Sequence, residues 1–169
     1  MGSNLAELPI DNQDNPLDCV EDVLTAHNWT FSRMNDEELV VTVAGDQCEY
    51  NIYFIWQEEF EALQFCCQYD LKIPDSAQKL ARNMLAELNE NLWLGHFEIM
   101  NRSTSPSFRH TCLYRGLKNS LSAESIEDLV EIAMAQCERH YPIFALLASG
   151  HVLDEQLYAL AMMNTQGRS

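Results

Sequence analysis

Between residues 50 and 71 the chain alternates apolar and polar side chains with a period of two, and no other feature constrains its fold as strongly. Tyr50, Ile52, Phe54 and Trp56 form one set, and Asn51, Tyr53, Ile55 and Gln57 the other. After a turn at Glu58, Glu59, Phe60 and Glu61, Leu63, Phe65, Cys67, Tyr69 and Leu71 alternate with Gln64, Cys66, Gln68 and Asp70. Successive side chains of a strand point to opposite faces, so this pattern predicts an antiparallel meander with one buried face. Upstream, a short strand over 30–33 reaches the turn residues Asn35 and Asp36. The β-branched run from Leu39 to Val43 follows and stops at Gly45 and Asp46, a hairpin signal.

Helical periodicity flanks the meander. Asn15 before Pro16 reads as an N-cap with proline at the first helical position, followed by Leu17, Val20, Val23, Leu24 and His27. After Pro74, with Asp75 or Ser76 as cap, Ala77, Leu80, Ala81, Met84, Leu85, Leu88 and Leu92 trace one stripe that Gly95 should end. A second hairpin is expected over 96–101 and 108–115, joined by a polar loop at 102–107. Ser122 caps a third helix whose inner face is Ile126, Leu129, Val130, Ala133 and Cys137. Pro142 should kink or break that helix before Ile143, Phe144 and Leu147 resume the stripe. A final short helix is expected over 154–163. The strands never alternate singly with helices, so the class is α+β: a twisted antiparallel sheet packed by helices, in the order α-βββ(β)-α-ββ-α-α. Residues 1–13 read as a flexible tail and 14–165 as one domain.

Charge narrows the function. Among 169 residues, 26 Asp and Glu outweigh 10 Lys and Arg, for a formal charge of −16, and no stretch gathers basic residues. Phosphate backbones and anionic membranes are held by clustered Lys and Arg, so neither is expected as a partner. No apolar run approaches the ~20 residues of a membrane span, and the N-terminus carries no basic start or apolar signal core. Cytoplasmic location is the expectation. The six cysteines, at 19, 48, 66, 67, 112 and 137, are irregularly spaced in apolar stretches and read as reduced core thiols.

Candidate chemistry is sparse. His110 with Cys112, and Cys137 with His140, could in principle supply four zinc ligands, but without a tight local pair the expectation is no metal and no cofactor. Cys66 and Cys67 should point to opposite faces of a strand and share no pocket. Glu58, Glu59 and Glu61 sit where solvated turn acids normally sit. Neither a GxSxG elbow nor a phosphate-binding glycine loop occurs. No catalytic residue is assigned, and the chain is not expected to be an enzyme.

The chain resembles the YbjN-domain family, a group named for a role in bacterial sensory transduction, in its alphaproteobacterial form. The segments that carry the likeness are DNPLD at 14–18 leading into NW at 28–29, the strand 50–56 followed by QEEFEAL at 57–63, YDLKIP at 69–74, LNENLWLGHF at 88–97, Arg109 with His110, and CERHYP at 137–142. The resemblance implies a fold like that of type III secretion chaperones, which are small, acidic, commonly dimeric and bind partner segments in extended form. It carries no catalytic residues.

The expectation is therefore a non-enzymatic protein-binding module, a chaperone-like adaptor or regulator of an unidentified protein partner, acting as a homodimer. The alternative is a small-molecule- or metal-responsive sensor with a ligand pocket between sheet and helices, near Pro142. Helical stripes should cover the sheet face of Leu39, Val41, Ile52, Phe54, Trp56, Phe65 and Tyr69. The opposite face carries Val40, Tyr53 and Ile55, an apolar patch that is the candidate interface. The competing reading has the final helix lying over that patch.

Overall fold

A computed structural model describes residues 15–115 and 121–150, with the isolated positions Ala159 and Met163. Helix α1 (Pro16–Ala26) begins as the sequence dictates: Asn15 caps it, its side chain accepting a hydrogen bond from the Leu17 amide. The strands β1 (Phe31–Asn35), β2 (Glu38–Ala44), β3 (Glu49–Gln57) and β4 (Ala62–Tyr69) form the expected meander, and a single 3-10 turn at Glu58–Phe60 joins the last two. Helix α2 (Asp75–Glu90) leads to the hairpin β5 (His96–Ile99) and β6 (Pro106–Leu113), and α3 (Ala123–Ala148) follows. The six strands are all antiparallel in the order β1-β2-β3-β4-β6-β5. This is an α+β fold with one open sheet.

Register converts the period-two pattern into faces. Leu39 pairs with Phe54, Val41 with Ile52, Phe54 with Phe65, and Cys67 with Phe108, so one continuous apolar surface crosses the sheet. All of these are essentially buried, as are the expected Trp56 and Tyr69. The helices cover this face: α1 with Leu17, Val20 and Leu24, α2 with Ala81, Met84 and Leu88, and α3 with Ala133, Cys137, Ile143, Phe144 and Leu147. Aromatic edges tie neighbouring strands to each other and the sheet to α3. Phe54 stands T-shaped on Phe65 at 5.3 Å between ring centres, and Tyr69 contacts Phe144 at 4.9 Å while donating its hydroxyl to the Cys137 carbonyl at 2.7 Å.

Several details depart from the sequence reading. Helix α2 ends at Glu90, leaving Leu92 beyond it, and Pro74 occupies the cap position with no side-chain cap bond. Gly95 is a left-handed residue in the following turn, at φ +65°, and not the helix terminator. Nor does α3 break at Pro142; the helix runs unbroken from its Ser122 cap through to Ala148. Pro142 is exposed, whereas Cys137, His140, Ile143 and Phe144 on either side of it are buried. Packing on both flanks outweighs the lost amide and the ring's crowding of the preceding turn. Of the expected final helix, 154–163, only Ala159 and Met163 are described, both helical; its other residues and the tail 1–13 lie outside the described residues.

Candidate functional site

The sheet face turned away from the helices is the first surface of interest. Val40 pairs directly with Tyr53, and Ile55 lies one pleat along β3, opposite Glu38 and Gln64. All three side chains are half-buried on the same face, so the register brings the sequence-predicted patch together. No described helix packs over it. Polar groups frame it on the far side of β4: Arg109 donates to Gln64 at 3.0 Å and to Glu98 at 3.3 Å, and Gln64 donates to Gln57 at 3.1 Å. A shallow groove beside the patch runs along Ser32, Val40, Thr42 and Tyr53, between the edge strand and β3. The competing idea, a final helix lying over the patch, concerns residues that apart from Ala159 and Met163 lie outside those described.

The thiols and histidines divide as the strand geometry demands. Cys67 is buried under α3 while Cys66 is half-buried on the open face. All six cysteines are free. Burial pushes the Cys19, Cys48, Cys66 and Cys112 thiols up, and contact with Cys137, reinforced by burial, raises Cys67. A raised thiol is a poor nucleophile and a poor metal ligand near neutral pH. His110 and Cys112 do share the helix-side face, pairing with Phe65 and Leu63. His140 is committed elsewhere, its Nδ1 at 2.8 Å from the Gln136 carbonyl and its ring against Phe97 at 5.1 Å. Among the described residues no group of three or more His, Cys, Asp or Glu side chains could hold a metal ion. Glu58 and Glu59 lie exposed on the turn. Among the described residues no helix is long and apolar enough to cross a membrane.

A second feature was not anticipated. A cavity of about 410 Å³ opens between α1 and the first half of α3, well before Pro142. Its origin lies in how α1 ends. His27 is the C-cap, and Asn28 takes the left-handed conformation at φ +56°. The Asn28 amide then bonds the Thr25 carbonyl at 3.0 Å and the Trp29 amide bonds the Leu24 carbonyl at 2.9 Å. These are the two hydrogen bonds of a Schellman motif, which pairs an apolar residue just past the helix with one in its last turn. Here they are Trp29 and Leu24, and both line the cavity. The signal was present in the sequence, since Asn is the side-chain-bearing residue that best tolerates the left-handed position.

Comparison with known proteins bears on the whole arrangement. The family model described as "Putative bacterial sensory transduction regulator", YbjN, matches residues 16–146, from the first turn of α1 almost to the end of α3. This chain belongs to the YbjN family. Among solved structures, the "Crystal structure of YbjN, a putative transcription regulator from E. coli" superposes with a TM-score of 0.50 at 11% sequence identity, covering 87% of this chain and 92% of that one. At that identity the likeness speaks to the fold alone. No curated protein sequence matches the chain.

Proposed function

We propose that this YbjN-family chain is a non-enzymatic protein-binding module, a chaperone-like adaptor or regulator, that pairs as a dimer and engages a protein partner through the open face of its sheet. The observation that carries this reading is the contiguous Val40, Tyr53 and Ile55 patch, left without a described helix on an otherwise helix-covered sheet. Grouped apolar surface is retained where something binds, and closed two-fold pairing is the commonest use of it. The family description, which names a regulator, supports a binding role over catalysis. So do the raised cysteines, which make poor nucleophiles. The charge of −16 favours a partner segment with basic residues at the rim.

The test combines sedimentation velocity over a concentration series with crosslinking capture from the native bacterium. The wild-type chain should dimerise and capture a discrete partner. Ile55→Lys should weaken both while leaving the circular dichroism spectrum unchanged, because Lys can sit beside Glu38 on an exposed strand face. A wild-type chain that stays monomeric and captures nothing, or an Ile55→Lys chain that associates normally, refutes the proposal.

A further inference from the structure

The cavity between α1 and α3 has a built chemistry of its own. Its inner walls are apolar: Val23 and Leu24 from α1, Val43 from β2, and Val130 and Met134 from α3. Its mouth is different. Glu127 and Glu131 stand four residues apart on α3, so both carboxylates project from the same side of the helix, and both line the cavity. Trp29, half-buried, supplies an indole at the same mouth. His27 binds Glu127 at 2.9 Å, with both side chains about half-exposed. Among the described residues no side chain pairs with Glu131, and no Lys or Arg lines the cavity.

Size separates this from a packing defect. A water molecule takes about 30 Å³ of liquid volume, and small-molecule pockets begin at about 300 Å³, against about 410 Å³ here. The polarity then selects the occupant. An anion would face two carboxylates, of which, among the described residues, only Glu127 has a partner, in His27, whereas a neutral apolar molecule would leave Glu131 unmatched. An ammonium group at the mouth would meet the Glu131 carboxylate beside the Trp29 indole, and an indole attracts cations through its ring quadrupole.

We propose that this cavity binds an amphipathic organic cation: one short alkyl chain or aromatic ring, buried against Leu24, Val43, Val130 and Met134, carrying one ammonium group held by Glu131, Glu127 and Trp29. This site is separate from the open sheet face and stands whether or not that face carries a partner.

The test titrates the full chain by calorimetry with three probes of equal length, n-octylamine, 1-octanol and octanoate, at neutral pH. Octylamine should fill one saturable site per chain at least about tenfold more tightly than octanol, and octanoate should not bind. Glu131→Gln should weaken octylamine by about tenfold and leave octanol unchanged. The substitution is at an exposed position, so the fold survives it. Methyl-labelled methionine spectra place the site: the Met134 signal should move on adding octylamine, and the signal of Met84, buried on the inner side of α2, should not. The proposal is overturned if octylamine does not saturate, if the three probes bind alike, if Glu131→Gln changes nothing, or if Met134 stays still while another methionine moves.

Discussion

Phe54 and Ile55 are neighbours on β3 yet belong to opposite faces, and truncating each to Ala gives the most direct reading of the sheet. Phe54 is wholly inaccessible and stands edge-on to Phe65. Phe54→Ala removes a fully buried ring and leaves a void, at about 3–5 kcal/mol, with about 0.5–1.5 kcal/mol more from the aromatic pair. Ile55 is half-buried, on the face without a described helix, so Ile55→Ala should cost about 1 kcal/mol through reduced burial and lower strand propensity. Urea unfolding followed by circular dichroism checks both. With a slope of about 2–3 kcal/mol per molar urea, Phe54→Ala should lower the midpoint by about 1–3 M and Ile55→Ala by less than about 0.5 M. Equal losses would refute the idea that one face is core and the other surface. A large Ile55→Ala loss that is independent of protein concentration would mean that the chain itself covers the patch. A loss that grows on dilution would point to a second copy, because dimer stability depends on concentration.

Gly95→Ala should destabilise by about 2–5 kcal/mol, since its φ of +65° is costly for any residue with a Cβ, and that atom would meet the Phe108 ring and lie 2.8 Å from the Arg109 carbonyl; a loss below about 1 kcal/mol in the same urea assay would refute this. Pro142→Ala should stabilise by about 2 kcal/mol, as an exposed helical Pro costs about 3 kcal/mol against Ala and returns part of that by stiffening the unfolded chain; a destabilised variant would show that the helix needs its proline. Burial, aided by the nearby Arg139 charge and only partly opposed by the Gln136 carbonyl, lowers the pKa of His140 below the ordinary histidine value near 6.5. The unfolded chain therefore takes up this proton first, so stability is full above about pH 6.5 and falls as the pH drops through that value toward the lower folded pKa. His110 shifts the same way through burial and the His96 charge, so His140→Gln should flatten, not abolish, the loss between about pH 6.5 and 5. Coincident slopes for wild type and variant would refute the assignment.

What was legible in the sequence is what depends on neighbours along the chain. Alternation over residues 50–69 dictated which side chains turn inward, and the register then aligned them with no exceptions on the helix side. Asn15 and Ser122 were identifiable as caps because their side chains satisfy amides two or three residues on, at 3.0 and 3.1 Å. The patch of Val40, Tyr53 and Ile55 followed from the same parity argument applied to the other face.

The errors share a cause, which is that long-range packing decided the matter. Pro142 carries a local penalty, but Cys137, His140, Ile143 and Phe144 are all held in the core, and breaking α3 between them would expose one half or the other. Gly95 looked like a stop signal for α2, yet its neighbour in space is β6: a side chain there would run into Phe108, so the glycine is needed for the close approach of the turn to the sheet. The cavity shows the same thing from the other direction. The end of α1 is locally encoded by Asn28, but Glu127, Val130 and Met134 reach it from a helix about a hundred residues later. Periodicity places Val130 on the inner stripe of α3 but says nothing of what Glu127 faces. Only the pairing of α1 with α3 makes them the floor and rim of one pocket.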